Sequence, residues 1–194
     1  MRYLIGRDIA LTMLREAAPE RVGFYGIENA AGTPIYVHAK VCVVDDVWVT
    51  TGSDNFNRRS WTHDSELTAA VWDETLADPA AQDSAPQAVT GEPARAYPRE
   101  LRLRLAAEHL GRTEEDDHSD LIDPAGTFKA FAQSAAALQR WHEAGRIGQR
   151  PPGQLRPMPS RPLTWRTRWW ADPLYRVVYD PDGRTLRARR RNDY

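Results

Sequence analysis

Residues 38 to 55 read His-Ala-Lys-Val-Cys-Val-Val-Asp-Asp-Val-Trp-Val-Thr-Thr-Gly-Ser-Asp-Asn, and no other stretch restricts the fold as tightly. A strand alternates its side chains between two faces, so this run of β-formers puts Tyr36, His38, Lys40 and Cys42 on one side. Val37, Ala39, Val41 and Val43 share the other side, which is wholly apolar and suited to a core. An imidazole and an ammonium side by side on a rigid strand suit an anionic ligand. Asp45-Asp46 marks a turn, after which a second strand, Val47 to Thr51, leads into Gly52-Ser53-Asp54-Asn55. Those small polar residues add hydroxyl, amide and backbone donors.

The flanking pattern extends this into an α/β layer design. Ile9, Leu11, Met13 and Leu14 predict an amphipathic helix over 7–18. A short strand is expected over 21–27, a loop over 28–34, a short helix over 55–60 and a further buried strand over 67–72. Residues 74–98, rich in Ala, Pro, Asp and Gln, read as a linker. Helical spacing returns over 99–110 through Leu101, Leu105 and Leu110. The longest helix is expected over 125–145, with Phe128, Phe131, Ala135, Leu138 and Trp141 near one face. Between these helices lies an acidic run (Glu114 to Asp123), read as a solvated loop. The Pro/Arg-rich stretch 149–161 reads as extended coil. Residues 175–179 and 184–189, joined through Asp180-Pro181-Asp182-Gly183, predict a β-hairpin. The division expected is one lobe over 1–110 and a C-terminal extension over 111–194.

With 194 residues the chain can bury one core and a small appendage. A net charge of −1 gives no global field that would attract nucleic acid. The single cysteine, Cys42, excludes an internal disulfide and is read as a small core filler. No apolar run reaches the roughly 20 residues of a membrane span, and the N-terminus lacks a basic-then-apolar leader pattern. A cytoplasmic or peripheral-membrane setting is therefore the expectation.

His38-x-Lys40, four residues, Asp45, six residues and Gly52-Ser53-x-Asn55 resemble the HKD signature of the phospholipase D superfamily. The likeness continues through Asn57, Arg58, Arg59 and Ser60 to Asp64-Ser65-Glu66, as in phospholipases D and cardiolipin synthases. It is strong over about residues 20 to 75. The resemblance implies an α-β-α sandwich with a mixed sheet and phosphodiester chemistry through a phosphohistidine. In-line displacement at phosphorus needs a nucleophile on one side and a proton donor on the other, and imidazole can fill either role. By the same resemblance, His38 is catalytic, Lys40, Ser53 and Asn55 hold phosphate, and Glu66, eleven residues after Asn55, orients the histidine. Asp45 belongs to the catalytic set by motif, with support of the loop as its expected part. No cofactor or metal is implied. Arg58, Arg59 and Ser60 are read as loop anchors, and His63, His109, His118 and His142 as ordinary histidines.

The departure from the family pattern is that one HKD motif is present, whereas family members pair two. The copy resembles the C-terminal one, and it begins 37 residues into the chain. Three explanations stand: a homodimer that completes one site, a part of a longer enzyme, or a half without activity. The expected partners are a second HKD lobe and a phospholipid or other phosphodiester, with a homodimeric nuclease as the alternative function. Trp165, Arg166, Arg168, Trp169 and Trp170 suggest either a membrane-interface contact or aromatic packing of the extension. The arginines from 184 to 191 fit an anionic surface or a solvated tail.

Overall fold

The computed structural model describes residues 4–78, 92–159 and 164–191. It begins with α1 (Leu4–Ala17), followed by β1 (Tyr25–Glu28), β2 (Pro34–Ile35), β3 (Lys40–Val44) and β4 (Trp48–Gly52). Then come α2 (Arg58–Thr62), β5 (Thr68–Trp72), α3 (Ala96–Leu110), α4 (Ser119–Ile122) and α5 (Pro124–Glu143). The chain ends with β6 (Leu155–Pro157), α6 (Trp165–Leu174), a π-helical turn (Tyr175–Tyr179) and α7 (Leu186–Arg191). The class is mixed α/β, with the described strands in two small three-stranded sheets ordered β2-β1-β6 and β3-β4-β5.

Contacts divide the chain into two compact units. The core unit is Gly23–Thr51 with Ala69–Met158; the terminal unit is Met1–Val22, Gly52–Thr68 and Pro159–Tyr194. In the core unit, Ala106, Ala107 and Leu110 of α3 pack with Ala130 and Ala135 of α5, together with Leu121 and Leu155. Alanines on both helices permit a close approach, and they carry more of the contact than the leucine spacing of α3 suggested. α3 stops at Gly111, whose φ of 69° is the left-handed cap conformation that glycine takes without steric cost. α5 begins at Pro124 behind Asp123, which accepts a hydrogen bond from the Ala125 N–H at 2.9 Å.

Several expectations are corrected. The first strand starts at Tyr25, and the supposed coil after Gln149 contains β6. β6 pairs antiparallel with β1 through Tyr25↔Pro157, Gly26↔Arg156 and Ile27↔Leu155. Its one proline, Pro157, lies at the strand's end, where a missing N–H costs little. The acidic run holds α4, and Arg112 pairs with Asp120 beside it. No hairpin forms over 175–189, because the helix capped by Thr164 runs on as a π turn to Tyr179 and residues from Leu186 form α7. Pro173 removes one backbone donor within that helix, and a π turn follows it. β5 is largely exposed rather than buried. The apolar face of the His38 segment is also open, with Val37 53% and Val41 40% exposed. Most of the linker (79–91) lies outside the described residues.

Candidate active site

The His38 segment is extended, but the paired strand β3 begins only at Lys40. Alternation holds nonetheless. The Tyr36 and His38 rings have centroids 6.0 Å apart, and Lys40 Nζ lies 3.3 Å from His38 Nε2. Tyr36, His38 and Lys40 thus share one side, as the two-residue period requires. An ammonium carries donors only, so this contact makes Nε2 the acceptor and leaves its lone pair on the nitrogen facing Lys40. Both side chains are accessible from solvent, with His38 the more exposed.

The turn after β3 is built by consecutive aspartates in left-handed conformation, with φ of 52° at Asp45 and 55° at Asp46. The Val47 N–H closes it on the Val44 carbonyl at 2.8 Å. Positive φ at both central residues gives the primed hairpin geometry that matches strand twist, and aspartate tolerates it better than most residues. The two aspartates then diverge. Asp45 stays half-buried at the turn, whereas Asp46 is buried and receives Arg102 through Nε at 2.6 Å and Nη2 at 2.8 Å. Arg99 Nε adds a contact at 3.4 Å, and the Arg95 N–H donates to the Asp46 carbonyl at 2.7 Å. Asp46 therefore ties the hairpin that carries Lys40 to α3. Sequence spacing picked out Asp45 alone and gave no sign of this role for its neighbour.

Ser53, Asn55 and Glu66 belong to the terminal unit. The Ser53 hydroxyl donates to Glu66 Oε2 at 2.5 Å and accepts the Leu67 N–H at 3.1 Å. The Ser53 N–H donates to the Leu67 carbonyl at 3.0 Å. This close pairing explains Gly52, since a Cβ there would meet Leu67 O at 2.6 Å as well as Thr68. Asn55 is exposed, and its carbonyl accepts the Asn57 N–H at 2.7 Å. Asn57 caps α2 by accepting the Ser60 N–H at 2.8 Å.

Arg58 and Arg59 anchor the loop within this unit. Arg58 Nη2 donates to the Asp180 carbonyl at 2.6 Å, and the Arg59 N–H to Asp180 Oδ1 at 2.8 Å. Arg59 also pairs with Asp64 at 2.9 Å. Asp180, at the end of the π turn, is a positioning residue missed by the sequence because a hairpin was expected there. A shallow recess in the same unit is lined by Ser60, Trp61, Thr62, His63, Asp64 and Arg184. Among the described residues, no three His, Cys, Asp or Glu side chains are grouped to hold a metal ion.

Residues 8–84, which include every motif residue from His38 to Glu66, match the family model described as "Cardiolipin synthase, PLD-like domain". Phospholipase D zeta 1 of Arabidopsis thaliana is 33% identical over 135 residues, covering 61% of this chain and 11% of its own length. Phospholipase D B of Dictyostelium discoideum is 38% identical over 101 residues, 50% of this chain and 8% of the relative. Phospholipase D1 of Schizosaccharomyces pombe is 42% identical over 79 residues, 40% and 5% respectively. The chain is thus similar to the phospholipase D superfamily over residues 8–84, less than half of its length. It spans about a tenth of the length of the curated relatives it matches. No solved structure matches it.

Proposed function

We propose that the chain is a phospholipase D-like phosphodiesterase or phosphatidyltransferase lobe that works through a phosphohistidine, formed on His38 of either copy in a homodimer, whereas beside a first-motif half His38 is the general acid and base. The observation that carries this reading is the His38–Lys40 pair, with Nε2 and Nζ 3.3 Å apart on a solvent-accessible strand face. A phosphodiester arriving there would draw the Lys40 ammonium to its oxygens and free the Nε2 lone pair. That nitrogen would attack phosphorus in line, forming the N–P bond as the bond to the leaving oxygen breaks. The leaving oxygen needs a proton at that moment, and one imidazole cannot stand on both sides of phosphorus. In a homodimer the second histidine would come from the other copy. It would then take a proton from the incoming water or alcohol, whose oxygen displaces His38. Beside a companion half the two histidines exchange these roles.

In this scheme Lys40 and Asn55 offset charge on the phosphoryl oxygens. Ser53 and Glu66 support the loop that carries Asn55, since the Ser53 proton is directed to Glu66. Asp45 acts through the turn rather than on substrate. The same reading takes the two small sheets and their helices as parts of the family's α-β-α sandwich.

The test uses vesicles of phosphatidylcholine in EDTA, with choline release as readout and a supercoiled plasmid in parallel. Wild-type protein is expected to release choline and spare the plasmid. His38→Asn is expected to abolish turnover while the circular dichroism spectrum stays unchanged. Undiminished turnover by His38→Asn overturns the role of His38. Plasmid cleavage without choline release replaces the lipid with nucleic acid as substrate. An ordinary enzymatic rate from a species shown by light scattering to be monomeric removes the need for a second imidazole.

A further inference from the structure

α6 is amphipathic the wrong way round for a helix whose large side chains serve the protein's own interior. Thr167, Ala171 and Tyr175, spaced four apart, turn inward; Ala171 is 1% exposed. The Tyr175 ring lies so close to Gly6 of α1 that a methyl group at Gly6 would overlap it. The rest of the circumference displays two further rows at the same spacing, Trp165 with Trp169 and Trp170 with Leu174, with Arg166 and Pro173 between them. Trp165 is 74% exposed, Trp169 80% and Trp170 53%. Thr167, Ala171 and Tyr175 thus face inward, while the tryptophans, whose burial would contribute most, face water.

The segment that carries these rows has an excess of positive charge. From 164 to 191 there are eight arginines, three aspartates and no glutamate or lysine. All three aspartates are engaged by arginines, Asp172 with Arg176, Asp180 with Arg58, and Asp182 with Arg184. Arg166 stands over the Trp165 ring at 5.3 Å, and α7 presents Arg187, Arg190 and Arg191 on its exposed surface. Exposed tryptophans, one of them under Arg166, in a segment whose arginines outnumber its aspartates match the boundary of an anionic bilayer, where the indole body meets acyl chains and guanidinium meets phosphate.

We propose that the exposed face of α6, with the arginines of α7, is a peripheral docking surface for an anionic phospholipid bilayer. The inference rests on the phospholipid reading and deepens it by naming how the chain would meet its substrate phase.

The experiment is sedimentation of the full chain with vesicles of equal parts phosphatidylcholine and phosphatidylglycerol, and with vesicles of phosphatidylcholine alone. Wild-type protein should bind the mixed vesicles at least about tenfold more tightly than the neutral ones, with blue-shifted tryptophan emission and salt-sensitive affinity. The variant Trp165→Ser/Trp169→Ser/Trp170→Ser should lose at least about tenfold in affinity for mixed vesicles. Because all three side chains are exposed, its circular dichroism spectrum should match wild type. Arg187→Ser/Arg190→Ser should weaken mixed-vesicle binding and leave neutral-vesicle binding unchanged. Equal binding by wild type and the tryptophan variant overturns the proposal. So does a dimeric wild type that the tryptophan substitutions make monomeric, since a second copy would then cover this face. Hydrolysis of a short-chain, soluble phosphodiester is measured alongside. Vesicle binding without hydrolysis counts against the enzymatic reading alone, and hydrolysis without vesicle binding counts against the docking surface alone.

Discussion

The core unit and the terminal unit are held together by different physics. Among the described residues, every buried apolar side chain except Ala171 lies in the core unit. There, helices α3 and α5 and strand β6 share one apolar cluster, and buried carboxylates at Asp46 and Glu28 gather arginines around it. The terminal unit buries Asp8, Ser60 and Asp180 instead and leaves Trp165, Trp169 and Val177 in water. Its order comes from polar links, above all those of Asp180 to Arg58 and Arg59. The difference separates the two halves of the motif. His38 and Lys40 lead into a hairpin braced by a hydrophobic unit, whereas Ser53 and Asn55 sit on a loop fixed by hydrogen bonds.

The strongest way to break this comparison is at Asp46. Asparagine tolerates the same left-handed backbone, so Asp46→Asn removes the charge without straining the turn. Arg99, with a side chain 9% exposed, would then be left without its counter-charge. Loss of one partner from a buried pair costs about 3–5 kcal/mol, and urea unfolding should show a loss of that order. A loss below about 1 kcal/mol would mean that the hairpin is braced by packing alone.

A matched pair of truncations sharpens the contrast in apolar burial. Leu121 is fully buried in the core cluster, and Leu121→Ala should cost about 2–5 kcal/mol through lost transfer energy and a residual cavity. Leu174, exposed on α6, should tolerate Leu174→Ala within about 0.5 kcal/mol. Equal losses by urea titration would show that α6 is covered in solution.

What the sequence could convey follows from the reach of each interaction. His38, Lys40, Gly52, Ser53 and Asn55 were legible because their spacing is local and the chemistry constrains it. The long helices were legible because amphipathic spacing and caps lie within them. The nodes were not: Glu28 meets Arg156 across 128 residues, and Arg102 meets Asp46 across 56. A histidine with no motif around it, such as His142, looks ordinary until its partner is known. β6 was hidden by the prolines around it, and the one within it, Pro157, matters little at a strand end. α6 was hidden by β-formers, Tyr175 to Tyr179, that follow the helix already started upstream. The exposed face at Val37 and Val41 shows the limit of alternation, which assigns residues to sides without saying which side is covered.

The smallest expected effect concerns Glu28, and its sign can be worked out. Glu28 Oε1 accepts from His142 Nε2 at 2.8 Å and from Arg150 at 3.3 Å, while Oε2 accepts from Arg156 at 2.9 Å. Arg146 Nε donates to His142 Nδ1 at 3.3 Å, which leaves Nε2 to carry the ring proton toward Glu28. Burial alone pushes the Glu28 carboxyl up, but the hydrogen bonds from His142 and Arg156 outweigh it and hold the group below the ordinary glutamate range. A carboxyl depressed by folding stabilises the native state fully above its unfolded pKa, and that contribution disappears as pH falls through the folded value. The urea midpoint of wild type should therefore hold near neutrality and begin to fall below about pH 4–5. Glu28→Gln should start lower at neutral pH and decline less steeply in acid, so the two curves converge. Parallel curves would mean that Glu28 titrates alike in the folded and unfolded chain, and the core unit would then depend on its apolar cluster and Asp46.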